Sequence, residues 1–309
     1  MNVSLSTNVK NQPALNWLVP LIGILALVAS GAGLFWRGGN GPFPFTTLHG
    51  QTVEIYGRGL YQNDTVFAAA GFKGVDAIVL FVGLPLLAIS FMLYRRGSLW
   101  GRFLLSGMMS YFLYIGASLT FSAAFNRLFL VYTALFSASL FALIAVFTTI
   151  DAQALPGQIS PRLPHRVMAV FMFVAGLGTF LLWLSELVGP ILQGRTPATL
   201  GPYTTLFTHG LDSAIITPAA VLTGVCLLRR KALGYLLAPP LLILCILNGF
   251  NVLVATASQT LAGVIFPPAV YVGMVASWVV MGAFALWLVI AYFRNLAEAP
   301  ASRPKVATA

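Results

Sequence analysis

The sequence predicts an all-α membrane protein that crosses the bilayer with about eight helices. Hydrophobic residues make up 59% of its 309 positions, charged residues make up only 8%, and the mean hydropathy is +0.89. Soluble domains carry about 25% charged residues, so this chain has too few to cover a water-facing surface. The apolar residues fall in long uninterrupted runs, which favours helices over the alternating strands of a membrane barrel.

Eight apolar runs have the length of a membrane span. A hydrocarbon core about 30 Å thick needs about 20 residues of helix. The predicted spans are 15–35, 76–94, 101–123, 128–150, 167–189, 208–228, 232–255 and 268–293. Very short turns join the second to the third, the third to the fourth and the sixth to the seventh, so each of these pairs is predicted to be an antiparallel hairpin. The first run is longer than the apolar part of a signal peptide and is interpreted as a retained helix.

The basic residues predict the orientation of these spans. Five of the 17 Lys and Arg residues fall on one side, which leaves twelve on the other. Because Lys and Arg collect on the cytoplasmic side, both termini and the tail 294–309 are predicted to be cytoplasmic, in a cell membrane such as a bacterial inner membrane. The same rule accounts for the net charge of +10 without a nucleic-acid partner. The predicted outer side carries Arg37, Arg58, Lys73, Arg127 and Arg195.

The segment 36–75 is the one sizeable outer loop. Its stretch TTLHGQTVEIYGRG combines Thr, Val, Ile and Tyr with Gly, which predicts a β-hairpin. The sequence Asn63-Asp64-Thr65 then predicts a cap for a short helix that starts at Val66. Together they form a small predicted subdomain over the mouth of the bundle.

Two stretches of the chain resemble each other in order and spacing. The first contains KGVD, an apolar span with Pro85 and an Arg pair; the second contains HGLD, an apolar span with Pro218 and an Arg pair. They predict two parallel four-helix halves, 1–155 and 160–309, related by a pseudo-two-fold axis along the membrane normal. The alternative is that the two stretches are similar without being repeats. Helix capping places acids, and the orientation of spans places basic pairs, at the ends of many membrane helices.

Asp76 and Asp212 each open a predicted span in these two stretches. At the start of a helix a carboxylate accepts hydrogen bonds from free N–H groups, so a helix cap is one interpretation of both. The other is that the predicted axis brings both carboxylates to one depth, where they line one outer cavity that binds a ligand.

Further candidates lie near the same outer boundary. His209 is three residues from Asp212 and shares its helical face, so the two can bind a cation or relay protons. Glu186 lies near the outer end of the fifth span, and its expected partner is Arg127, beside Asn126 in the outer turn between the third and fourth spans. Such an ion pair can equally lock helices together.

Two amides and several prolines complete the candidate set. Asn248 and Asn251 are three residues apart and share a face of the seventh span, where they either hold helices together or join the polar pocket. Pro85 and Pro218 remove helical hydrogen bonds inside spans, a feature that transporters use and that packing alone also produces. With three His, two Cys and no metal-binding spacing, neither a metal site nor a cofactor is predicted.

These observations leave three classes of function. The favoured one is a multi-pass protein that binds or transports a small molecule or a lipid through a polar site near the outer face. The alternatives are an intramembrane enzyme that acts on a lipid-linked substrate, and a non-catalytic partner subunit. The bilayer is the one certain partner, and the sequence does not predict an oligomeric state.

Overall fold

The structure is a computed structural model that describes residues 12–297, without the side chains of Val270 and Met274. Eight helices in this range are long and apolar enough to cross a membrane, and a small antiparallel sheet accompanies them. The predicted fold class is confirmed, and the chain is a multi-pass membrane protein. Most of the predicted tail 294–309 lies outside the described residues. The spans are α1 (Leu15–Phe35), α2 (Val66–Arg95), α3 (Leu99–Ser122), α4 (Phe129–Thr148), α5 (His165–Leu192), α6 (Phe207–Leu228), α7 (Ala232–Leu261) and α8 (Tyr271–Arg294).

The start of α2 corrects the predicted second span. The side chain of Thr65 accepts a hydrogen bond from the Ala68 N–H and caps the helix, which then runs to Arg95. The predicted short helix and the predicted span 76–94 are therefore one helix. Asp76 lies inside it, so the helix-cap interpretation of Asp76 is wrong. Asp212 likewise lies past the start of α6, at the beginning of a wider turn, and caps no helix end.

Wider, π-helical turns interrupt α2 and α6 just before their prolines. The Leu84 N–H donates to the Val79 carbonyl, and the Thr217 N–H donates to the Asp212 carbonyl, so each bond spans five residues. The residues that follow are Pro85 and Pro218, which have no N–H and whose rings clash with the carbonyl four residues back. The wider turn accommodates that ring while the helix continues.

Helices α3 and α7 form the centre of the bundle. Helix α7 packs against α2, α3, α6 and α8, while α1 packs against α2 and α4, and α5 packs against α6. Close contact between α2 and α7 depends on Gly74, because a Cβ there would lie 2.6 Å from the Ala255 Cα. The predicted division into two repeated halves stays a prediction.

The predicted β-hairpin is confirmed between α1 and α2. Strand β1 (Phe43–Thr46) pairs with β2 (Thr52–Ile55), with Thr46 opposite Thr52. The end of the bundle that carries these strands is called the hairpin end below. It also contains the turn between α3 and α4 and the loop between α5 and α6. Asp64 joins these segments, because it accepts hydrogen bonds from the Ala124 N–H (2.9 Å) and the Tyr203 hydroxyl (3.0 Å).

Candidate functional site

Three of the ionisable residues singled out in the sequence lie together between α5 and α6. The His209 Nε2 is 3.1 Å from the Glu186 Oε2, and the Trp183 Nε1–H donates to the Asp212 Oδ2 at 3.0 Å. The two helices are antiparallel, and each contributes two residues that are three positions apart. The Trp183–Asp212 and Glu186–His209 contacts therefore lie about one helical turn from each other. The expectation that His209 and Asp212 share a helical face is confirmed.

Two aromatic side chains, Tyr114 and Trp183, complete this cluster. The Tyr114 hydroxyl on α3 donates to the Asp212 Oδ1 at 3.2 Å, so both carboxylate oxygens of Asp212 accept a hydrogen bond. The Trp183 ring lies against the His209 ring, with their centroids 4.0 Å apart. These contacts fix Asp212 and His209 in position, and each Asp212 oxygen keeps capacity for one further donor.

Two polar atoms of the cluster are buried and have no hydrogen-bond partner among the described residues. They are the Glu186 Oε1 and the His209 Nδ1. Buried polar atoms are nearly always hydrogen-bonded, so unpaired ones on two side chains in contact point to a ligand, an ion or ordered water. The Glu186–His209 pair therefore has bonding capacity that the protein itself leaves unused.

Asp212 also lines a small cavity enclosed by α5, α6, α7 and α8. Its volume is about 50 Å³, and its other polar lining residues are Thr179, Cys245 and Asn248. The rest of its lining is apolar, so a few water molecules or a small ion would be held there by these polar residues together with Asp212. Glu186 and His209 are not among its lining residues, and Trp183 links them to Asp212, because its ring contacts His209 and its Nε1–H donates to Asp212.

The side chains of Asn248 and Asn251 form a series of hydrogen bonds that leads from this cavity to α3. The Asn251 Nδ2–H donates to the Asn248 Oδ1 at 3.3 Å, and the Tyr111 hydroxyl on α3 donates to the Asn251 Oδ1 at 3.0 Å. The predicted shared face of Asn248 and Asn251 is confirmed. Asn251 thus orients Asn248 toward the cavity and also joins α7 to α3.

Asp76, on α2, occupies a different environment. The Tyr61 hydroxyl donates to its Oδ2 at 2.8 Å, and the Ser30 hydroxyl of α1 also hydrogen-bonds to it. Gly33 faces this carboxylate so closely that a Cβ on the glycine would lie 1.8 Å from the Asp76 Oδ2. Asp76 and Asp212 share no hydrogen-bond partner among the described residues, and Asp76 does not line the cavity of Asp212.

The expected pair of Arg127 with Glu186 is wrong. Glu186 pairs with His209, while the Arg127 guanidinium lies over the Trp36 ring, 5.8 Å from its centroid. Asn126 shapes the turn around Arg127, because its Oδ1 accepts from the Leu128 N–H and its Nδ2–H donates to the Ala124 carbonyl. Both residues line a separate cavity at the hairpin end.

The sequence interpretation missed the aromatic donors. Trp183 and Glu186 are three residues apart in LLWLSEL, and Tyr111 and Tyr114 are three apart in SYFLYIG. Each pair matches the spacing of His209 and Asp212, and polar side chains at matching spacing on neighbouring spans signal cross-helix hydrogen bonds. The donor to Asp76, Tyr61, lies in the loop between α1 and α2 and gives no such local signal.

Within residues 12–297, no group of three or more His, Cys, Asp or Glu side chains is placed to hold a metal ion. No family model matches the sequence, and no curated protein and no solved structure matches it either.

Proposed function

We propose that this membrane protein binds a small molecule at Asp212 and moves it across the bilayer. The observation that carries this proposal is the position of Asp212, which lines a small cavity between the spans and lies three residues from His209, whose pair with Glu186 keeps two buried atoms unpaired. Ionisable groups inside membrane spans are costly and generally mark a pathway or a binding site.

The cavity favours a small ligand that carries positive charge or donates hydrogen bonds. Its volume of about 50 Å³ is too small for a lipid headgroup, and the charged group in its lining is the Asp212 carboxylate, whose oxygens accept hydrogen bonds. The two Asp212 oxygens already accept hydrogen bonds from Trp183 and Tyr114, which hold the carboxylate in position for a ligand.

The local backbone supports movement as well as binding. The wider turn at 212–216 begins at Asp212 and ends just before Pro218, so the ligand group lies where the helix is least regular. π-Helical turns occur frequently at functional sites, and transporters place binding groups at interrupted helices. A change in this turn would move Asp212 relative to α5.

The first test is to identify the molecule that the protein retains. Protein purified in a mild detergent is released into a mass spectrometer, and bound small molecules are compared between the wild type, Asp212→Asn and Asp151→Asn. Asp151 is an exposed turn residue outside the spans, so Asp151→Asn controls for the loss of one carboxylate. We expect a molecule bound to the wild type and to Asp151→Asn but lost from Asp212→Asn.

The second test is uptake of that molecule by proteoliposomes. Uptake should require the protein and should fall at least about tenfold in Asp212→Asn, because that substitution removes the charge that binds the ligand. Equal retention and uptake by both Asp→Asn variants would contradict the proposal. Conversion of the molecule into a product without uptake would instead establish the enzyme alternative.

A further inference from the structure

Four of the five basic residues at the hairpin end line two adjoining cavities. The larger, about 640 Å³, is lined by Arg37 and Arg127, and the smaller, about 310 Å³, by Arg37, Arg58 and Lys73. Arg37 lines both. Arg195, the fifth basic residue at this end, lines neither cavity.

Among residues 12–297, no carboxylate forms an ion pair with these four basic residues, and the charge of Asp76 acts only on Lys73, which lies outside the larger cavity. Neither cavity has an Asp or Glu in its lining, and the one ion pair among residues 12–297 is His209 with Glu186. In the same part of the chain, Arg37 and Arg127 donate no hydrogen bond to a protein group, and Arg127 contacts the face of Trp36. Concentrated, unpaired cations in a concave site raise the local concentration of anions.

The surroundings of the larger cavity select the shape of its ligand. Amide side chains of Gln62, Asn63 and Asn126 add hydrogen-bonding groups to the lining. Apolar side chains lie beside them, and two of these are strongly exposed: Phe125 at 76% and Leu130 at 77%. A ligand with an anionic head and an apolar body fits this combination.

We propose that the larger cavity is a binding site for the phosphate group of an amphiphile. The guanidinium groups of Arg37 and Arg127 bind the phosphate oxygens, because the planar guanidinium matches phosphate with two parallel hydrogen bonds. Phe125 and Leu130 contact the apolar part of the ligand. This site is distinct from Asp212 and does not depend on the function proposed for it.

Binding of two soluble probes to the full-length protein in a nonionic detergent tests this assignment. The probes are dihexanoyl phosphatidic acid, which combines phosphate with short acyl chains, and glycerol 3-phosphate, which has the phosphate alone. Titration calorimetry compares the wild type, the double variant Arg37→Gln with Arg127→Gln, and the matched control Arg195→Gln. We expect the double variant to bind dihexanoyl phosphatidic acid at least about tenfold more weakly, and Arg195→Gln to bind it like the wild type.

The outcomes distinguish a lipid phosphate from a soluble phosphate and show why a variant loses affinity. Tighter binding of the acylated probe assigns the site to a lipid headgroup, and equal binding of both probes assigns it to a soluble phosphate. If the double variant fails to fold, Arg127→Lys replaces it. This variant keeps the charge but loses the bidentate contact, so its affinity for dihexanoyl phosphatidic acid should drop several-fold. Absence of saturable binding to the wild type, or equal losses in Arg195→Gln, would overturn the assignment.

Discussion

Asp76 and Asp212 occupy similar positions in the sequence and opposite kinds of environment in the structure. Each follows a Gly-hydrophobic pair, and a wider turn and then a proline come after it, with Asp212 as the first residue of its turn. Asp76 is surrounded by protein groups that satisfy it, namely Tyr61, Ser30 and the close-packed Gly33. Asp212 instead faces a cavity and lies beside a His–Glu pair with unused bonding capacity.

The difference teaches that a buried carboxylate in a membrane helix is not by itself a functional site. Asp76, on α2, holds α1 and the loop between α1 and α2 in place, because its carboxylate accepts hydrogen bonds from Ser30 of α1 and Tyr61 of that loop. Asp212 has hydrogen-bond partners that orient it, and it also faces free volume that a ligand can occupy. Free volume and unpaired neighbours, rather than burial, distinguish the two residues.

The prolines also show that the two carboxylates are not strictly equivalent. Asp76 precedes Pro85 by nine residues, whereas Asp212 precedes Pro218 by six, and it is His209 that precedes Pro218 by nine. Aligned on the prolines and their wider turns, Asp76 therefore corresponds to His209. If the halves are repeats, the Asp212 position is a feature of the second half alone.

The largest expected effect comes from the close packing at Asp76. Gly33→Val places methyl groups where the Asp76 carboxylate and the Tyr61 hydroxyl lie, so we expect a loss of roughly 3 kcal/mol in stability. Gly31→Val is the matched control in the same helix, because a Cβ at Gly31 meets nothing within 4 Å. Thermal unfolding in detergent measures both. Equal melting temperatures for the two variants would mean that Asp76 is not enclosed as described.

Removal of one hydroxyl at each carboxylate sharpens the comparison. Tyr61→Phe and Tyr114→Phe each delete a donor to a buried oxygen, at a cost of about 1–2 kcal/mol in stability. Only Tyr114→Phe should also change the affinity for the molecule that co-purifies with the wild type. An equal change of affinity in Tyr61→Phe would place the ligand at Asp76 as well.

The smallest expected effect is the pH dependence due to Asp64 at the hairpin end. Burial raises the pKa of Asp64 from 3.8 to about 6, against the opposing hydrogen bonds from Ala124 and Tyr203. The folded state then binds the proton more tightly than the unfolded state, so this contribution to stability decreases as pH rises from about 4 to about 6. Lowering the pH from 7 to 5 should stabilise the wild type by about 1 kcal/mol relative to Asp64→Asn.

Melting temperatures of both proteins across this pH range measure that difference. Because Asn has no proton to gain, the Asp64→Asn curve lacks the contribution of this carboxyl. Parallel curves for the two proteins would show that the Asp64 pKa is not raised.

Much of the fold could be predicted from the sequence, because span length and charge placement are local properties. The eight spans and the hairpin followed from apolar runs, turn residues and β-branched content. The start of α2 was misplaced because Lys73 and Asp76 resemble the polar edge of a span. Asp76 is buried against Tyr61 and Lys73 is half-buried against Tyr56, both from the loop between α1 and α2, and contacts across the fold leave no local pattern.

For the candidate site, the sequence predicted the ionisable residues but not the residues that they contact. Glu186, His209 and Asp212 stand out as ionisable groups in apolar sequence, and their helical spacing predicts a shared face. Their partners depend on the antiparallel register of α5 and α6, which places Trp183 opposite Asp212 and Glu186 opposite His209. Without that register, Arg127 was the nearest available cation for Glu186, and the assignment was wrong.

The most direct test of the account uses the two native cysteines as reporters of access to the Asp212 cavity. Cys245 lines that cavity, whereas Cys226 is buried outside it. Single-cysteine proteins made by Cys226→Ala or Cys245→Ala are treated with a charged methanethiosulfonate reagent that reacts only from water. The account predicts labelling of Cys245, slowed by the co-purifying molecule, and no labelling of Cys226. Absence of labelling at Cys245 under all conditions, or equal labelling of both thiols, would contradict it.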